Sequence, residues 1–199
     1  MKKFISIFTT AILSFSASAS EFKENIHYKE LTGQKSSSPM VTEYISVFCG
    51  HCNSFQPISK MLKEQLPEGI PFNTKHVSFM GREMGIEMNK AHATMIKLGV
   101  EPRVLPALFA AIHKQNKAPQ NVDQIREIFI NNGVSGSDFD STFNSQAVLQ
   151  VANSYDSDFY ANGLTGTPSV VINNKYLANA GGVTSFEEYL ELVNYLIEK

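Results

Sequence analysis

Cysteine is scarce in this sequence: 199 residues contain two, Cys49 and Cys52. A zinc site would need further ligands. There is no second cysteine pair, and His27, His76, His92 and His113 stand singly along the chain, which argues against one. A bridge between neighbours this close removes little chain entropy, and a chain of this length can bury a core without a staple, which argues against a purely structural disulfide. Long apolar runs are missing after the first stretch; none approaches the roughly 20 residues that a bilayer span requires. Positive charge is not in excess, with 17 Lys+Arg against 19 Asp+Glu, so nothing electrostatic favours nucleic acid or an anionic membrane. Internal repeats and low-complexity tracts are absent too, and residues 34–39, with Ser36, Ser37 and Ser38, read as a short loop rather than a linker.

The start of the chain carries Lys2 and Lys3, an apolar stretch over residues 4–15, and Ala17-Ser18-Ala19. This is the pattern of a cleavable secretory signal over residues 1–19, too short in its apolar part to span a bilayer comfortably. Its removal leaves 180 residues with 15 Lys+Arg against 19 Asp+Glu, enough for one good-sized domain or a domain carrying an insertion. Export places the cysteines in an oxidising compartment. Two of them alone, at this spacing, imply a pair kept for chemistry.

That pair lies in Val47-Phe48-Cys49-Gly50-His51-Cys52-Asn53-Ser54-Phe55, at the end of an apolar run. A Cys-x-x-Cys that follows a strand and opens a helix puts its first sulfur at the helix N-terminus, where unpaired N–H groups favour an anion. Cys49 is therefore the candidate thiolate, and His51 can assist as an imidazolium or donor. If the two together stabilise the thiolate by roughly 3 kcal/mol, the thiol pKa falls by about two units. The same energy favours the reduced pair and makes the disulfide more oxidising by something like 60 mV.

Around this stretch the pattern alternates between strand and helix. Residues 28–31 read as a short edge strand, and residues 40–48 as a covered central one in which Val41, Ile45 and Val47 alternate with Thr42, Tyr44 and Ser46. Glu43 shares a side with Val41 and Ile45. Under a helix after Cys52 it would be a buried acid with a raised pKa, able to accept or relay the Cys52 proton; at a wet strand end it would be an ordinary carboxylate. Phe55, Ile58, Leu62 and Leu66 give a helix over residues 54–66, interrupted by Pro57, and residues 72–79 give a second strand parallel to the first. Residues 81–162 are helical in period, with Met88, Ala91, Met95 and Leu98, then Leu105, Leu108, Phe109 and Ile112, then Val122, Ile125 and Phe129, and last Val148, Val151, Tyr155 and Phe159. These Met and aromatic stripes read as core, and Asn121 with Gln124 as a capping pair. Residues 169–172 and 175–177 form a hairpin through Asn173-Asn174, and a closing helix begins at the capping box Ser185 to Glu188.

Strand, Cys-x-x-Cys, interrupted helix, strand, helical block, Gly166-Thr167-Pro168, hairpin and final helix together resemble the DsbA family of thiol:disulfide oxidoreductases. The resemblance extends over essentially the whole chain after residue 19, including Leu66-Pro67-Glu68-Gly69, His76-Val77-Ser78-Phe79-Met80-Gly81, residues 125–131 and residues 171–176. It implies an α/β fold of thioredoxin type with an inserted all-helical domain: residues 20–80 and 163–199 form the thioredoxin-like part and residues 81–162 the insertion. It implies Cys49 as the exposed attacking sulfur, Cys52 as the buried resolving one, His51 as thiolate stabiliser and Glu43 as the buried acid. Pro168 matches the family's cis-proline, Thr167 would offer its backbone to an extended substrate, and Gly50 would be a substrate-binding residue with them. The dipeptide Gly50-His51 is the pairing of protein disulfide isomerase, where the best-known relatives carry Pro-His, and Thr167 is also more usual in isomerases. Lys75 falls one position off the family's buried lysine.

The expected activity is that of a monomeric periplasmic dithiol oxidase. It needs no metal and no cofactor beyond the Cys49–Cys52 disulfide, passes that disulfide to reduced exported polypeptides and is reoxidised by a DsbB-type membrane partner. An isomerase or reductase would use the same residues in the reverse sense and is expected to carry a dimerisation module, for which the segment before the first strand is too short. A non-catalytic peptide-binding chaperone would keep the groove without needing the thiols.

Overall fold

The computed structural model describes residues 22–199, so the expected signal segment lies outside the described residues. Five strands form one mixed sheet in the order β1-β5-β4-β2-β3: β1 Tyr28–Glu30, β2 Val41–Ile45, β3 Phe72–His76, β4 Ser169–Ile172 and β5 Tyr176–Ala178. Only β2 and β3 run parallel, because a helix crosses between them; the other pairs are antiparallel. All five residues of β2 are buried, as the apolar content on both of its sides requires.

Alternation along β2 sends Val41 and Ile45 to one face and Tyr44 to the other. On the first face Val41 packs with Val170 and Ile172 of β4, with Leu62 of α1 (Gly50–Gln65) and with Tyr189, Leu192, Val193 and Leu196 of α7 (Phe186–Glu198). On the second, Tyr44 meets Val77, Val171, Leu164 and Phe159. Between β3 and β4 run α2 (Glu83–Leu98), α3 (Glu101–His113), α4 (Val122–Asn131), α5 (Gly136–Phe143) and α6 (Gln146–Ala161). Their buried residues, among them Met88, Met95, Leu108, Phe109, Phe129 and Phe139, share one cluster with Ile45, Val47, Cys49 and Cys52. The helical block is therefore packed directly against the cysteine turn. Among the described residues no helix is long and apolar enough to cross a membrane.

Several boundaries differ from the sequence reading, each for a local reason. β2 ends at Ile45 rather than at residue 48: the N–H of Val77 makes the last bond to Ile45 O, and residues 46–49 then form a turn closed by Cys49 N donating to Ser46 O at 3.0 Å. β3 likewise ends at His76. α1 begins at Gly50, four residues early, because Cys49 caps it. Pro57 lies inside α1 and cannot donate to Asn53 O; the Gln56 side chain does so instead at 3.2 Å. α5 falls inside the expected helical stretch, but no apolar stripe of the sequence marks it. It carries only Phe139 and Phe143 as buried residues, too few to show a period, and is held by Ser135 Oγ accepting from Asp138 N at 3.0 Å. Asn121 does cap α4, but the return bond of Gln124 goes to Gln120 N instead of to the cap itself. The Asn173-Asn174 turn has φ of 53° and 56°, the left-handed pair that a tight hairpin needs and that asparagine tolerates.

Candidate functional site

Cys49 occupies the N-cap of α1, with extended φ and ψ of −87° and 117°. In that position a side-chain atom faces the unpaired N–H groups of the second and third helical residues. Its sulfur accepts from Cys52 N at 3.4 Å, and in the thiol form donates to the carbonyl oxygen of Thr167 at 3.3 Å. Both cysteines are present as free thiols. Burial pushes the Cys49 thiol up, but the backbone N–H of Cys52, the Thr167 hydroxyl, the Cys52 thiol and the backbone N–H of His51 outweigh it, and the pKa lies below the ordinary thiol value. At Cys52 burial dominates over the Thr167 hydroxyl and the Ser46 backbone, which oppose it, and pushes the thiol up to about 12.

The expectation of an exposed Cys49 is corrected. Cys49 is 5 % accessible and Cys52 2 %, because Cys49 lies beneath the Thr167–Pro168 segment and against the helical block. The Thr167–Pro168 peptide bond is cis. The Thr167 hydroxyl is buried without a hydrogen-bond partner in the dithiol state, yet close enough to both sulfurs to favour the anion of either. His51 is exposed on the first turn of α1, and its backbone N–H is the group it turns to Cys49. Gly50 is exposed, and a Cβ added there would meet nothing within 4 Å, so the fold does not require glycine at this position. Gly81 closes the neighbourhood from the other direction. Its φ of 86° suits glycine, and a Cβ would strike the Phe48 ring at 2.3 Å.

Glu43 is buried at 4 % accessibility, which excludes the wet strand end. Its carboxylate accepts from Ser59 Oγ of α1 at 2.6 Å, and burial pushes it up to about 7 although the Ser59 bond opposes this. Glu43 and Cys52 line one cavity of about 590 Å³ between α1 and α3, together with Ser59, Lys63, Thr74 and Glu101. Burial also acts on Glu101, but the neighbouring His92 Nε2, 3.8 Å away, and Lys63 at 3.3 Å hold it well down at about 2. Glu101 is thus a fixed negative charge that helps keep the Glu43 proton in place. Lys75 faces away from this cavity and pairs with Asp158 at 2.5 Å; Thr74 is the residue beside Glu43 across the sheet. Among the described residues there is no group of three or more His, Cys, Asp or Glu able to hold a metal.

Sequence reasoning missed Ser59, Lys63, Glu101 and two of the histidines it had set aside. His76 is fully buried, accepts from Val47 N at Nε2 (3.0 Å) and hydrogen-bonds Asn89 Oδ1 through Nδ1 at 2.7 Å. Burial pushes its pKa down to about 3, so it is a neutral Nδ1–H imidazole. His113 donates from Nε2 to Val47 O at 2.8 Å. For Ser59 and Lys63 a signal existed: with Cys52 and Gln56 they recur at helical spacing on one face of α1. For the histidines none did, since the fold brings them to Val47 from 29 and 66 positions away.

A second cavity of about 480 Å³ begins at Pro168 and continues past Ser169 and Val170 to Leu177, Phe55 and Tyr189. Three comparisons bear on what this arrangement does. A family model described as a DSBA-like thioredoxin domain matches residues 40–191. The thiol:disulfide interchange protein DsbA of Escherichia coli (strain K12) is 33% identical over 208 residues, covering the whole of both chains. That of Salmonella typhimurium is 32% identical with the same coverage. Among solved structures, the disulfide oxidoreductase DsbA from Proteus mirabilis superposes with a TM-score of 0.82 at 33% identity, covering 90% of this chain and 98% of that one. A Proteus DsbA with a non-covalently bound peptide PWATCDS superposes equally well, at a TM-score of 0.82 and 32% identity, covering 90% and 100%.

Proposed function

This chain belongs to the DsbA family of thiol:disulfide oxidoreductases with a thioredoxin-like fold, and from that premise we propose that it works as a dithiol oxidase, donating a Cys49–Cys52 disulfide to reduced polypeptides. The observation that carries the direction is the place of the two sulfurs: Cys49 caps α1 and accepts from Cys52 N at 3.4 Å, which holds its thiol below the ordinary value, while burial pushes Cys52 up to about 12. A stabilised Cys49 thiolate favours the reduced enzyme, and the disulfide is given away the more readily.

The steps follow from that split. A substrate thiolate attacks Cys49 Sγ, the less buried sulfur; the Cys49–Cys52 bond breaks and the electron pair goes to Cys52. Cys52 is a poor leaving group as an anion, and Glu43, with a pKa of about 7 and on the same cavity, supplies the proton. A second substrate thiolate then attacks the substrate sulfur of the mixed disulfide and expels Cys49 as thiolate, the good leaving group of the pair. Substrate leaves with a disulfide and the enzyme with two reduced sulfurs. His51 supports the Cys49 anion with its backbone N–H and, when protonated, with its ring at the positive end of α1.

Thr167 and Pro168 present the substrate. In the thiol form the Thr167 carbonyl is occupied by Cys49 S–H. A disulfide or thiolate has no S–H, so the carbonyl is then free for an N–H of an extended segment laid along the Pro168 cavity. That a Proteus relative binds a peptide non-covalently supports a polypeptide as the substrate. On the same reading residues 20–80 and 163–199 are the thioredoxin-like domain and residues 81–162 the insertion. The protein acts as a monomer in the periplasm after loss of residues 1–19, and a DsbB-type membrane oxidase restores the disulfide.

Equilibration with glutathione tests the direction. Reference potentials are about −120 mV for DsbA itself and about −270 mV for thioredoxin. A value nearer the first is expected; one near thioredoxin assigns the same residues to reduction or isomerisation.

A further inference from the structure

Val47 stands two residues before Cys49, is 1 % accessible and has left the sheet, so neither of its peptide groups has a strand partner. Buried peptide groups without partners are costly, and here each is met by an imidazole. The N–H is taken by Nε2 of His76, itself oriented through Nδ1 by Asn89 of α2. The C=O is taken by Nε2–H of His113, the last residue of α3, at 2.8 Å. The His113 ring lies over Phe109 one turn earlier, with centroids 5.9 Å apart and planes 26° from parallel. Phe109 is fully packed in the cluster that contains Cys49 and Cys52, so the donor is held by a rigid neighbour.

From this geometry we propose that His113 is a positioning residue for the redox pair: the helical block uses its Nε2–H to fix the Val47 carbonyl, and with it the turn that aims the Cys49 sulfur at the N–H groups of α1. This rests on Cys49 being the working thiolate. Residues 46–49 are joined by a single turn bond from Cys49 N to Ser46 O and by Phe48 N donating to Ser46 Oγ at 3.3 Å. Freeing the Val47 carbonyl lets it turn toward water and takes the following residues with it. The N-cap geometry at Cys49, which depends on a contact of 3.4 Å, then loosens.

The test compares His113→Phe, which keeps a ring over Phe109 but has no donor, with His113→Gln, whose amide can donate to the same carbonyl. In the native protein the thiolate absorbance titration of Cys49 should show the lowered pKa. His113→Phe should raise it and move the glutathione equilibrium toward the oxidised enzyme by roughly three- to tenfold, the worth of one buried hydrogen bond, and His113→Gln should recover most of that. If the native titration is lowered and both variants match it, or Gln behaves like Phe, the positioning role is overturned. If the native titration is not lowered at all, the reading of Cys49 fails first. Should His113→Phe fail to fold, nitrogen NMR of the native protein at pH 8 decides: the proposal requires the Nε2–H tautomer for His113, and an Nδ1–H tautomer contradicts it.

Discussion

The two flanks of the cysteine turn are built from opposite materials. On the α1–α3 side Cys52 faces a cavity in which Glu43 sits near neutrality at about 7, with Ser59, Lys63 and Glu101 around it. On the other flank the chain meets His76 from the end of β3, held neutral with a pKa of about 3, and the carbonyl clamp of His113 from the last turn of α3. One flank holds a proton that can move within the working pH range; the other holds backbone. The comparison separates two demands that a dithiol site makes at once. Cys49 needs fixed N–H groups, which rigid backbone supplies, whereas Cys52 needs a proton on demand, which a buried acid with adjacent polar space supplies.

The largest expected effect removes what both flanks serve. Cys49→Ala should bring the rate of disulfide formation in a reduced multi-cysteine substrate down to that of buffer alone; refolding as fast as with the native protein would make the molecule a binding module instead. Next comes the acid limb. His76 titrates near 6.5 unfolded and about 3 folded, so the unfolded chain binds the proton first and stability is lost as pH falls from about 6.5 toward 3. Denaturant unfolding should show a loss of a few kcal/mol over that window, and His76→Gln should flatten it; an unchanged slope would place the acid sensitivity elsewhere.

Glu43 gives the opposite slope. Its carboxyl is raised from 4.5 to about 7 by burial, so the folded state keeps the proton longer and stability declines as pH rises from about 4.5 through 7. Glu43→Gln should remove that decline and gain up to about 3 kcal/mol at pH 8, while slowing substrate oxidation. A variant no more stable than the native protein at pH 8 would mean that the carboxylate is not desolvated. The smallest effect is at the surface. His51→Ala keeps the backbone N–H and deletes the ring, so the Cys49 titration should rise by about one unit and the disulfide become less oxidising by about 30 mV. A superimposable titration would leave the stabilisation to the backbone alone.

How much of this was legible beforehand follows from the range over which each feature is encoded. The turn, its cysteines and the central strand are local: alternation over 41–47 and the Cys-x-x-Cys spacing predict a buried β2 and a helix start, and parity puts Glu43 on the side of Val41 and Ile45, while its burial is decided by the packing of α1 and α3. The hairpin at Asn173-Asn174 and the caps at Asn121 and Ser185 are local as well. What was not legible is long-range. Nothing near Val47 announces that His76 and His113 will meet its peptide groups, nor does anything near Glu43 announce Glu101, whose place depends on how α3 packs on α1. Cys49 was expected exposed for the same reason, since its cover comes from Thr167, 118 residues later.

The central claim is that the folded protein favours two thiols over a disulfide, and unfolding of the two redox forms measures it most directly. With the Cys49 pKa lowered in the fold, the reduced form carries a stabilisation that is fully present above the ordinary thiol pKa and fades as pH falls through the lowered one. A bridge across two residues offers little in return, because it constrains little of the unfolded chain. At pH 8 the reduced protein should therefore unfold at higher denaturant concentration than the oxidised protein, with the gap narrowing toward acid pH. An oxidised form that is the more resistant at pH 8 would contradict the account.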